Sequence, residues 1–228
     1  MKNYKFILFD ADNTLFDFDA SEKNAITKLF NSHGVPLSYV PEYSKVNKSL
    51  WEALERGEIA RSRLKTMRFE IIFEKAGVKP VSFVNVAAEY EKYLSEQAIL
   101  YDGALDICAK IRNLGKKIFI ITNGNKNVQK SRFYACGLEK FVDGIFISEN
   151  VGYAKPAKEF FDFVIEKTGA KREECLIIGD SYGSDILGGI NSGIDTCHYN
   201  PKNLPNTKNY YPTYTVNSFS DILHIIGG

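Results

Sequence analysis

Two carboxylates one residue apart, Asp10 and Asp12, followed by Thr14, close the run Lys5-Phe-Ile-Leu-Phe-Asp-Ala-Asp-Asn-Thr-Leu-Phe16. Acids that close repel unless a cation or a shared proton relieves them. Asp-x-Asp-x-Thr arises by chance roughly 0.03 times in a chain of this length. A carboxylate can attack phosphorus and form an aspartyl-phosphate. Phosphoryl transfer also needs a proton donor for the leaving oxygen and positive charge around the equatorial oxygens. Asp10 is the candidate nucleophile. Asp12, on the same side of an extended chain, is the candidate acid that protonates the leaving group and then activates water. Asp180 and Asp185, within Gly179-Asp-Ser-Tyr-Gly-Ser-Asp185, add oxygen ligands, and a hard cation such as Mg2+ would relieve the crowd of acids. The Thr122 hydroxyl, the amides near Asn123 and the Lys155 ammonium are candidate phosphate anchors. Each piece alone also reads as a turn, a helix cap or a solvated lysine, so the case rests on their convergence.

Convergence requires a parallel sheet. The apolar tetrad before Asp10 reads as a strand buried on both faces. From Asp102 the chain alternates helix and strand in the βαβ manner, with strands at Lys117–Ile121, Gly144–Ile147, Leu176–Ile178 and Asp195–Tyr199, and a further edge strand at Tyr214–Val216. Three of these strands end in the polar clusters at Asp10, Thr122 and Asp180, which a parallel sheet brings to one edge. Pro156 is expected in the first turn of the following helix, placing Lys155 at its amino end. Between the first and second strands the pattern is helical only. A capping box at Asp19 to Glu22 opens a helix to His33, and others cover 42–55, 62–76 and 82–97, the third with Leu64, Met67, Ile71 and Ile72 as its stripe. The expected division is therefore a Rossmann-like, doubly wound α/β core of residues 1–16 and 99–228, with an inserted all-α domain of residues 17–98.

With 228 residues, 29 basic and 28 acidic, charge gives no reason to expect a nucleic acid polymer or a membrane surface as partner. No apolar run approaches the ~20 residues of a membrane span. The four cysteines lie far apart, with no zinc spacing or disulfide framework. A cytoplasmic chain, monomeric or weakly dimeric, acting on a small phosphomonoester is the expectation.

The motifs resemble those of the haloacid dehalogenase (HAD) superfamily of aspartate-nucleophile phosphatases. Asp10-Ala-Asp-Asn-Thr14 is similar to the first motif, Thr122 to the second, Lys155 to the third and Asp180 to Asp185 to the fourth. The resemblance implies that Asp10 is phosphorylated and that Asp12 is acid and base. It further implies Mg2+ held by the Asp10 carboxylate, the Asp12 backbone carbonyl and Asp180, with Asp185 as a further ligand or acting through water. Thr122 and Lys155 would hold phosphate, and the helical insert would be a C1 cap. The wording around Asp10 to Phe18 and Ser184 to Gly193 is similar to the bacterial pyrimidine 5'-nucleotidase group. The implied substrate is a nucleoside 5'-monophosphate, with a phosphoglycolate or sugar-phosphate phosphatase, or a β-phosphoglucomutase-like phosphomutase, as alternatives. Phe16 and Phe18 serve either as stacking faces for a base or as packing at the hinge. Trp51, Arg61, Arg63 and Arg68 are insert residues that either reach substrate or solubilise helix surfaces.

Overall fold

The computed structural model describes residues 2–227. It divides into two compact units, Phe18–Ile99 and the remainder on either side of it.

The larger unit is built on six strands: β1 (Phe6–Phe9), β2 (Lys117–Thr122), β3 (Gly144–Ile147), β4 (Cys175–Gly179), β5 (Asp195–Tyr199) and β6 (Tyr214–Val216). They form one sheet in the order β3-β2-β1-β4-β5-β6, and every pairing is parallel. Strand order reverses beside β1, where an open α/β sheet opens its ligand crevice at the carboxyl ends. Alternate side chains feed opposite faces. Ile7, Phe9, Ile118, Ile120, Leu176 and Ile178 pack with Ile107, Cys108 and Ile111 from one helix and Ile222 and Ile226 from the last. Leu8, Ile121 and Ile177 pack with Phe160, Phe161 and Val164 on the other side. This two-sided burial is why the strands read as unbroken apolar runs.

The smaller unit holds α1 (Phe18–His33), α2 (Val40–Glu55), α3 (Arg61–Lys75) and α4 (Phe83–Ser95). Two local expectations change here. Helix α1 already begins at Phe18, and Ser21 and Glu22 are buried inside it rather than capping it. The buried face of α3 is Leu64, Arg68, Phe69, Ile72 and Phe73, rotated from the expected stripe because Phe69 and Phe73 meet Tyr43, Tyr90 and Phe30 ring to ring.

The larger unit continues with α5 (Ala104–Asn113), α6 (Lys126–Ala135), the single turn α7 (Ser148–Val151), α8 (Lys158–Thr168), α9 (Leu187–Ser192) and α10 (Phe219–Ile226). The residue capping α5 is Gly103, not Asp102. Helix α8 starts two residues beyond Pro156, with Ala157 as its N-cap, and the Lys155–Pro156 bond is cis. Pro156 therefore lies in the loop before the helix, contrary to the expected first-turn position. Ser218 caps α10 through a reciprocal box with Asp221, as its sequence suggested. No described helix is long and apolar enough to cross a membrane.

Candidate active site

Strand β1 delivers Asp10 to the sheet edge, where its backbone N–H still bonds to Ile178 O at 2.8 Å. The chain then turns sharply. Leu15 and Phe16 N–H groups both return to Ala11 O, and Asn13 sits at φ 60°, a left-handed conformation that asparagine tolerates better than most residues. The turn brings the buried Thr14 hydroxyl to within 3.3 Å of Asp10 Oδ2.

Lys155 comes from the loop ahead of α8 and is 2% exposed. Its ammonium donates to Asp10 Oδ1 at 2.5 Å, Asp185 Oδ1 at 2.7 Å and Ile121 O at 2.9 Å. Three acceptors use all three donors of the ammonium. Asn123 fixes that loop from β2, its amide exchanging two hydrogen bonds with the Lys155 backbone at 2.8 and 2.9 Å. The Asn123 side chain thus ties the lysine in place, while Thr122 Oγ1 accepts from Gly124 N at 3.0 Å.

The chain leaves β4 through a π-helical turn, Tyr182–Ile186, a rare geometry that recurs at functional sites. The turn folds Asp185 back beneath the strand end, fully buried, where Ser181 N–H donates to its Oδ2 at 3.2 Å. Only a glycine permits this return: a Cβ on Gly179 would lie 2.2 Å from Asp185 Oδ2.

Asp10, Asp180 and Asp185 each offer an oxygen within 4.8 Å of the others. Burial, opposed by Lys155 and reinforced by Asp185, pushes Asp10 up to about 7. Burial and the neighbouring Asp10 and Asp185 hold Asp180 well above the usual carboxylate range. Burial acts to lower Lys155, but Asp10 and Asp185 outweigh it and keep the ammonium above the ordinary lysine value. Three carboxylates against one ammonium leave two formal negative charges, and an all-oxygen donor set of that charge fits a hard divalent cation.

The Asp12 carboxylate is not one of that group of three. Its Oδ1 accepts from Arg132 Nη1 at 2.6 Å and its Oδ2 from Gln129 Nε2 at 2.5 Å, both on α6. Sequence reasoning missed these partners, because α6 reads as a polar surface helix. The available signal was their three-residue spacing, which puts both on one helical face, next to the glycine of Thr122-Asn-Gly124.

Phe16 is 1% exposed and lies beneath the Arg132 guanidinium, 4.3 Å from its ring centroid. It packs the core and offers no face to a base. Phe18 is half-buried at the start of α1. In the smaller unit Arg68 is buried and bonded to Asn47, Arg63 is paired with Glu70, and Arg61 lies over the Trp51 ring.

The haloacid dehalogenase-like hydrolase family model matches residues 4–193. The chain belongs to this family. It is a hydrolase. It is 38% identical to pyrimidine 5'-nucleotidase PynA of Streptococcus pneumoniae over 96% of this chain and 94% of that one. It is 36% identical to pyrimidine 5'-nucleotidase YjjG of Escherichia coli over 98% of both. The crystal structure of the HAD-hydrolase YfnB of Bacillus subtilis, bound to magnesium, matches with a TM-score of 0.94 at 35% identity over 100% of both chains.

Proposed function

We infer that the chain hydrolyses phosphomonoesters through an aspartyl-phosphate, with a nucleoside 5'-monophosphate as substrate. One observation carries the reading: a buried lysine bridges Asp10 and Asp185 beside Asp180 at a parallel-sheet edge. Two relatives of similar length named pyrimidine 5'-nucleotidases support the choice of substrate.

In this reading an Asp10 carboxylate oxygen attacks phosphorus in line with the leaving oxygen, forming the Asp10–phosphorus ester as the ester bond to the alcohol breaks. Asp12 gives its proton to that departing oxygen, then takes one from the water that attacks the phosphoenzyme, releasing inorganic phosphate and restoring Asp10. Lys155 aligns Asp10 and, with the Thr122 hydroxyl and the amides near Asn123, draws in the phosphoryl oxygens. Asp10, Asp180 and the Asp12 backbone carbonyl would hold Mg2+, with Asp185 behind them, and the bound ion would neutralise charge on the phosphoryl group. Residues 18–99 are assigned as the cap domain.

Phosphate release from a panel of nucleoside monophosphates, sugar phosphates and phosphoglycolate tests the assignment. Fastest release from a pyrimidine nucleoside 5'-monophosphate, lost in Asp10→Asn, is expected. A sugar phosphate isomerised without phosphate release would replace it with the mutase reading, and wild-type turnover in Asp10→Asn would remove the nucleophile.

A further inference from the structure

We propose that Arg132, assisted by Gln129, is the positioning residue for the Asp12 acid–base group. This rests on the phosphatase reading above and adds to it the device that aims the acid.

Asp12 must hold one oxygen fixed while the other handles a proton, and its two oxygens have unequal partners. Oδ1 is bound by a guanidinium that is 0% exposed, at 2.6 Å. That cation is fixed from below by the Phe16 ring at 4.3 Å. Oδ2 is bound by a neutral amide. Both bonds end on a carboxylate, but only the guanidinium adds a formal opposite charge to its hydrogen bond, so the guanidinium is the anchor and the amide is the partner that yields. The Gln129 Oε1 atom is buried without a hydrogen-bond partner among the described residues, so no bond at that atom restrains the amide. The Asp12 side chain stays 25% exposed, so it is not sealed from an incoming group.

Local sequence builds this arrangement. Asn125 caps α6, accepting from Asn127 N at 2.9 Å and Val128 N at 3.2 Å, and so sets the helix directly after the Thr122 cluster. Gln129 and Arg132 then share a face. Gly124 clears the path of Gln129, since a Cβ there would lie 2.1 Å from Nε2.

A purely structural ion pair would stabilise the fold without regard to the leaving group, and the test exploits that difference. The quantity measured is kcat/KM, which reports the steps up to transfer onto Asp10. One substrate is a nucleoside 5'-monophosphate, whose alkoxide needs a proton to leave; the other is p-nitrophenyl phosphate, whose phenolate does not. Arg132→Gln is expected to lose roughly tenfold or more on the nucleotide and less than about threefold on the aryl ester, a part of the 10²–10⁴ that general acid catalysis supplies. Gln129→Met is expected to lose less, in the same direction. In the Asp12→Asn background neither substitution should cost anything further on the nucleotide. Equal losses on the two substrates, or losses that add to that of Asp12→Asn, would overturn the proposal. If Arg132→Gln does not fold, Gln129→Met carries the test alone. Failure of the phosphatase reading looks different, because the unmodified enzyme would then release phosphate from neither probe.

Discussion

Lys155 Nζ stands 2.5 Å from Asp10 Oδ1 and 2.7 Å from Asp185 Oδ1, so one ammonium is shared by two carboxylates from separate strand ends. Removing one member of a buried ion pair typically costs 3–5 kcal/mol, because the partner charge stays buried and unpaired. Lys155→Met keeps the length of the side chain and deletes the charge. Metal-free protein carrying it is expected to lose about 3 kcal/mol or more in urea unfolding, together with nearly all phosphate release. Unchanged stability would mean that the lysine contributes little to holding this edge together.

The same cluster predicts how Mg2+ affects stability at different pH values. Asp10 is raised from its ordinary 3.8 to about 7, chiefly by burial. An acid whose folded value is raised loses folded-state stability as pH climbs from the unfolded value toward the folded one. A cation binds the ionised carboxylates, so the stabilisation it adds must grow across that window. The rise in melting temperature on adding Mg2+ to EDTA-treated protein should be larger at about pH 8 than at about pH 5.5. An equal rise at both, or none, would count against a metal at Asp10 and Asp180.

Gly179 offers a third check, since its missing side chain makes room for the Asp185 carboxylate. Gly179→Ala is expected to push Asp185 out of reach of Lys155, lowering the melting temperature and slowing turnover by at least about tenfold, in line with the 10²-fold that a 1 Å misplacement can cost. An alanine variant with wild-type kinetics would show that the turn accommodates the methyl group.

The fold and much of the candidate chemistry were legible for one reason: strands buried on both faces are continuous apolar runs, and three of them end in polar clusters. Asp10, Thr122 and Asp180 could be placed from that alone, whereas Lys155 lies in the loop before α8 and not behind a first-turn proline. The residues that support them were not legible. Gln129 and Arg132 share one face of α6 through their three-residue spacing, but that spacing does not say which carboxylate will meet them. Ser21 and Glu22 imitate a capping box, yet the helix begins at Phe18, because Glu22 is drawn inward to bond Asn47 at 2.6 Å. Arg68 occupies an apolar-stripe position for the same reason, its charge answered from α1 and α2. Side-chain partners hundreds of atoms apart along the chain are set by packing, which periodicity does not encode.

That buried network in the helical unit supplies the last prediction. Asn47 Nδ2 donates to Glu22 Oε1, and Arg68 Nη1 donates to Asn47 Oδ1 at 2.9 Å, joining three helices. Burial raises the Glu22 carboxyl above its ordinary 4.5, with Ser44, Asn47 and Arg68 opposing the rise. For an acid of raised value, stability declines as pH rises from 4.5 through the folded value. Glu22→Gln removes the titration and should flatten urea-unfolding stability over that window. Arg68→Met deletes the cation that offsets the burial of Glu22, and should cost about 3 kcal/mol at neutral pH. Its penalty should shrink on acidification, as Glu22 becomes neutral, and should largely vanish when combined with Glu22→Gln. A penalty for Arg68→Met that is the same at every pH, and unchanged by Glu22→Gln, would show that the arginine stabilises these helices by packing over the Phe69 and Tyr90 rings and not by its charge.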